Sequence, residues 1–142
     1  MKKYILIICS ALFLIGCQSE TKVNSQEGTH REKRNAQELL GQEYLANARK
    51  YMAANEFESA RAEIDSMRSN CRRALTARET GILLLDSINL REAEYNLVLL
   101  DERMKTDKDS AEVLKARFDE LFLKAEFYRR KIEHDKNETK GL

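Results

Sequence analysis

Leu114, Phe118, Leu121, Ala125, Tyr128 and Ile132 stand four and three residues apart in strict alternation. That spacing gathers all six on one stripe of an α-helix. The chain has no proline and only five glycines in 142 residues, so the residue types that break helices most effectively are nearly missing. Leu90, Ala93, Leu97, Leu100 and Met104 follow a similar spacing, and the two stretches are expected to pair as an antiparallel, coiled-coil-like hairpin. With 42% hydrophobic and 35% charged residues, the composition is that of a soluble helical protein rather than a disordered one. The expected fold class is all-α: antiparallel helical hairpins followed by a coiled-coil-like C-terminal helix pair.

Taken in order, residues 31–135 are expected to form a helical domain and 136–142 a disordered tail. A first helix should end near Ala54, with Leu40, Tyr44, Ala48, Tyr51 and Met52 along one face. Asn55 and Glu58 have the spacing of a capping box opening a second helix, in which Phe57, Ala60, Ile64 and Met67 point inward. A third helix over 72–85 should be followed by a second capping box, Asn89 with Glu92, and a fourth helix. In a plain bundle, 86–89 would not be a turn and those two helices would fuse. Residues 106–108 read as a loop, and Asp109 with Glu112 as the cap of the last helix.

An internal repeat runs at an offset of 33 residues: Ala48, Phe57, Ala60, Ile64 and Met67 recur as Gly81, Leu90, Ala93, Leu97 and Leu100. With Tyr44 and Tyr51 in the first copy and Leu84 in the second, residues 41–107 resemble the tetratricopeptide repeat, whose small residues let paired helices approach closely. Asn47, Thr80 and Ala77 depart from its pattern. The resemblance implies a concave groove lined by Leu45, Arg49, Met52, Arg78, Ile82 and Leu85, with two guanidiniums suited to a carboxylate or an acidic peptide.

At the other end of the chain, Lys2 and Lys3 precede an apolar run that closes on Leu14-Ile15-Gly16-Cys17. The run is shorter than the roughly 20 residues a membrane-spanning helix needs and fits a secretory signal. The four closing residues resemble the bacterial lipobox. That implies a signal peptide over 1–16, cleavage between Gly16 and Cys17, diacylglyceryl transfer to the Cys17 thiol and acylation, as with palmitate, of the new amino terminus. Residues 17–30 would then be a lipidated, flexible tether with a mean reach of about 20 Å. The implied location is the bacterial cell envelope; no Asp follows Cys17 directly, which points to the outer membrane, on its periplasmic or surface face.

Removal of Cys9 with the signal and lipidation of Cys17 would leave only Cys71, a small buried hydrophobe by expectation. The formal charge of +1 argues against broad nucleic-acid binding. His30 and His134 lie far apart, no phosphate-cradling loop or nucleophile elbow occurs, and the acidic residues alternate with basic ones as on solvated helices. No cofactor, metal or catalytic residue is expected. Asp65-Ser66-Met67, Asp86-Ser87-Ile88 and Asp109-Ser110-Ala111 resemble the O-glycosylation sequon of exported Bacteroidetes proteins, implying glycans on Ser66, Ser87 and Ser110. The expected function is a lipid-anchored, non-catalytic interaction module, an adaptor for an envelope protein or peptide. The alternative is a structural spacer that forms a homo-oligomer through the seam of Leu114, Phe118, Leu121, Ala125, Tyr128 and Ile132.

Overall fold

The computed structural model describes residues 21–106 and 111–140, with side chains over 28–106 and 112–138. The described residues form helices α1 (Thr21–Ala53), α2 (Phe57–Asn70), α3 (Leu75–Thr106) and α4 (Ala111–Lys140), with no strand among them. The chain divides into two compact units, Met1–Lys33 and Arg34–Leu142.

In the first unit, the described part is the leading portion of α1, whose side chains over 28–33 are exposed. Helix therefore occupies 21–30, most of the stretch expected as a coil tether. The segment contains one glycine and no proline, and extending a helix already nucleated costs little. Residues 1–20, with Gly16 and Cys17, lie outside the described residues.

The second unit is built on α2 and the first half of α3. Phe57, Ala60, Ile64 and Met67 recur at three- and four-residue spacing along α2 and are all buried. Ala77, Leu84 and Ile88 answer them from α3, and Leu45 and Ala48 from α1. Ile64, Met67, Leu45 and Ile88 have no exposed surface at all; each such side chain is worth about 1.5–3 kcal/mol in burial. The inner face of α1 is Gly41, Leu45 and Ala48, with Met52 half-buried, whereas Leu40 and Tyr51 are exposed. The expected face is thus rotated. The reason is close approach: a Cβ on Gly41 would lie 2.6 Å from the Ala77 Cβ, so the glycine stripe sets which side of α1 meets α3.

Both turns of this layer are closed by groups other than the expected caps. Asn55 has φ 61°, and the amides of Asn55 and Glu56 donate to Met52 O (3.1 Å) and Tyr51 O (2.9 Å). This is the Schellman ending of α1, in a left-handed conformation that Asn tolerates better than most residues. Asn55 therefore terminates a helix instead of starting one, and α2 has Glu56 at its N-cap with no side-chain cap bond. At the start of α3 the caps come from α1: Glu38 accepts from the Thr76 and Ala77 amides (both 3.0 Å), and Gln37 from the Arg73 amide (2.7 Å). A carboxylate at a helix N-terminus satisfies free donors and complements the helix dipole.

Residues 86–89 are not a turn, because α3 runs through them. The would-be capping residues are engaged elsewhere. Arg61 of α2 donates to Asn89 Oδ1 (3.2 Å) and to both oxygens of Glu92 (3.2 and 3.0 Å), and Asp86 pairs with Lys131 of α4. With those side chains drawn across to neighbouring helices, Asn89 and Asp86 do not compete with the α3 backbone ladder. The five-helix expectation becomes four helices, and the second repeat copy forms one continuous helix.

Helix α3 serves two layers. Ala77, Gly81, Leu84 and Ile88 face α1 and α2, while Ala93 and Leu100 are buried further along, on the side that turns toward α4. Leu121, Ala125 and Ile132 of α4 are buried and Leu114, Phe118 and Tyr128 half-buried. Three ion pairs tie α3 to α4: Asp86–Lys131, Glu92–Lys124 (3.7 Å) and Glu94–Arg129 (3.1 Å). Helix α4 continues to Lys140, through most of the expected tail. Lys131–Asp135 and His134–Glu138, each at 3.7 Å and four residues apart, support it there.

Candidate functional site

The residues expected to line one groove differ in burial. Leu45 is wholly inside the core, against Gly81, and Met52 packs half-buried on the same core. Arg49 and Arg78 are exposed, and Arg78 Nη1 donates to the Arg72 carbonyl (3.1 Å). Ile82 is exposed and Leu85 half-buried. Met52 does line a cleft of about 260 Å³, but with Ala53, Ser87, Leu90, Arg91 and Glu94. Leu45, expected in the groove wall, is therefore a core residue.

The seam on α4 is likewise consumed internally. Leu121, Ala125 and Ile132 are buried and Leu114, Phe118 and Tyr128 half-buried, so self-association through the whole seam would require the three buried side chains to be uncovered. What α4 leaves exposed is Val113, Phe122, Leu123 and Phe127.

Of the sequon serines, Ser66 is half-buried within α2, and the Ser87 hydroxyl donates to Leu83 O (2.8 Å). The residues that follow them, Met67 and Ile88, are fully buried. An enzyme reading these triplets as extended chain would have to act before the helices pack. Ser110 lies outside the described residues.

The polar groups between helices form a clasp. Arg61 also reaches Glu58 Oε1 (2.6 Å); its bonds to Glu92 and Glu58 raise its pKa, and the same contact lowers that of Glu58. The ammonium of Lys131 is raised above the usual lysine value by its bond to Asp86. The Cys71 thiol is raised by burial and, secondarily, by the Glu38 carboxylate. Each group is committed to a structural partner or withdrawn from solvent. His134, Asp135 and Glu138 bring ligand atoms within 4.8 Å of one another, a grouping the wide separation of the two histidines in sequence concealed. Asp135 is already ion-paired with Lys131 (3.7 Å).

The surface that packing leaves unused lies toward the C-terminal end of α3. Tyr95 stacks obliquely on Phe57, ring centroids 5.8 Å apart, where α2 begins. Past that point the apolar side of α3 continues as Val98 and Leu99, which are 59% and 40% exposed. Beside them, Asn96, Leu99, Leu100 and Arg103 of α3 and Arg117 and Leu121 of α4 enclose a cleft of about 280 Å³. The sequence carried a signal for this surface, since the α3 stretch is apolar on two sides while only one can face α4. Among the described residues no helix is long and apolar enough to cross a membrane. No protein-family model matches this sequence, and neither a curated protein nor a solved structure matches it.

Proposed function

We propose that this chain is a lipid-anchored, non-catalytic interaction module of the bacterial cell envelope, tethered through Cys17, with its contact surface where the C-terminal part of α3 meets the N-terminal part of α4. The observation that carries the reading is the apolar side of α3 continuing past the last residue that α2 covers, leaving Val98 and Leu99 exposed. Apolar side chains extending a buried seam into solvent mark a surface suited to a partner. The lipobox-like Leu14-Ile15-Gly16-Cys17 supports the anchor, and the outer membrane is the proposed site. The tetratricopeptide-like pairing of small residues applies to the α1–α2 hairpin, where Ala48 and Ala60 are fully buried. A self-associating spacer could use the outer residues Val113, Phe122, Leu123 and Phe127, since Leu121, Ala125 and Ile132 of the inner seam are buried.

Crosslinked pull-down from envelopes tests the module, comparing wild type with Val98→Asp and Phe122→Asp, folding being checked by circular dichroism. The expected result is a heterologous partner that Val98→Asp loses. An unchanged partner set in folded Val98→Asp removes the surface assignment. Mass spectrometry of the membrane fraction tests the anchor, and an intact Lys2-Lys3 segment or unmodified Cys17 would end it.

A further inference from the structure

The cleft between the C-terminal part of α3 and the N-terminal part of α4 combines an apolar floor with an unbalanced positive rim. Leu100 and Leu121 are almost fully buried and Leu99 is partly exposed, so the floor is a wall of leucine side chains. Arg103 and Arg117 line it from opposite helices. Arg117 is held by Glu120 (2.6 Å), a pair in which both side chains are more than half exposed; such a contact is worth little and exchanges readily. Among the described residues no carboxylate pairs with Arg103, and the neighbouring Asp101 is taken by Lys105 (2.5 Å). Two arginines lining one small cleft favour a carboxylate, which a guanidinium can hold with paired N–H donors. Asn96 adds a carboxamide, which both donates and accepts and so matches a peptide unit.

We propose that this cleft captures the C-terminal residue of a partner polypeptide. The terminal carboxylate sits between Arg103 and Arg117, the last side chain is apolar and covers Leu99, Leu100 and Leu121, and the preceding peptide unit meets Asn96. At about 280 Å³ the cleft is at the small end of ligand sites, which suits one terminal residue rather than an extended segment. A fatty acid shares the carboxylate and the apolar body but has no amide for Asn96. The proposal rests on the interaction-module reading and names its partner's chemistry.

The test is fluorescence anisotropy of the full chain with fluorescein-labelled tetrapeptides, Ala-Ala-Ala-Leu and Ala-Ala-Ala-Phe, as free acids and as amides, and with decanoate as competitor. The free acids should bind, and amidation should weaken them roughly tenfold or more, the scale of one lost charge-assisted contact. Arg103→Gln and Arg117→Gln should each cause a comparable loss without changing helical circular dichroism. Asn96→Leu should weaken the peptides more than decanoate. Equal binding of acid and amide, no binding at about 1 mM peptide, or binding of decanoate alone would overturn the proposal. If the peptides fail while the envelope crosslink to wild type persists, the cleft is withdrawn and the module reading stands. Loss of the crosslink with acid-selective peptide binding intact would do the reverse.

Discussion

Lys131 ties α4 to a buried carboxylate of α3. Its ammonium holds Asp86, whose side chain is only 8% exposed, and also reaches Asp135 (3.7 Å). A lysine whose folded pKa is raised contributes stability that is complete below its unfolded pKa and fades as pH climbs through the folded one. Urea midpoints should therefore fall in the alkaline range, above the ordinary lysine value of 10.5, and Lys131→Met should lose that component. At pH 7 the same variant strands a buried carboxylate and should lose about 1–3 kcal/mol, while Asp86→Leu/Lys131→Met should recover much of it. A flat alkaline profile in wild type would contradict this. Cys71 offers a second residue-scale check: with no exposed surface and a thiol pushed up by burial, it should resist iodoacetamide in the folded chain and react after denaturation. Of these details, the sequence made legible only that Cys71 is a small buried hydrophobe. It could not show that Asp86 is half of an interhelix pair, because its partner is 45 positions away.

At the scale of elements, two glycines separate cases that composition treats alike. An added Cβ at Gly81 would meet the Met67 Cε at 2.4 Å, the free end of a flexible side chain; at Gly41 it would meet the Ala77 Cβ at 2.6 Å, which moves only with its backbone. Alanine gains about 1 kcal/mol in helix propensity over glycine, and overpacking costs about 1–3 kcal/mol. Gly41→Ala should thus be destabilising, and Gly81→Ala close to neutral, in thermal denaturation. The reverse order would show that α1 and α3 are looser than their spacing implies. Ile64→Ala, at the centre of α2, should cost about 2–5 kcal/mol. The inner residues of α2 and α4 were legible from spacing alone, because in each helix one set of apolar residues recurs every three or four positions over its length, and on α4 the exposed Val113, Phe122, Leu123 and Phe127 do not. For α1 the stripe was ambiguous, and the small Gly41 outweighed the larger Leu40 and Tyr51 in deciding which side turned inward.

For the helical body as a whole, the continuity of α3 has a thermodynamic consequence. One helix carries the face for α1 and α2 in its first half and the face for α4 in its second, and Arg61, Glu92 and Lys124 join α2, α3 and α4 at the middle. The two layers should unfold together. Circular dichroism and tyrosine fluorescence are expected to give coincident urea transitions, and Leu121→Ala and Ile64→Ala to shift the same transition. Two resolved transitions would mean that α3 yields at 86–89 after all.

The sequence by itself determined that the chain is helical, since proline is absent and the apolar residues recur at helical spacing, and it determined which residues of α2 and α4 face inward. Both are local properties of a single stripe. Only the tertiary structure decided that 86–89 continues a helix, that Asn55 ends one, that Glu38 caps another, and that Leu45 belongs to the core. A pattern such as Asn89 followed by Glu92 satisfies the local rule for a helix start equally well whether those side chains fold back on their own amides or reach a guanidinium on another helix. The choice is made by Arg61, 28 and 31 positions away, and no window along the chain contains it. The candidate cleft has the same character: Arg103 and Arg117 are ordinary solvated positions in sequence, and become a pair only because α3 and α4 run side by side.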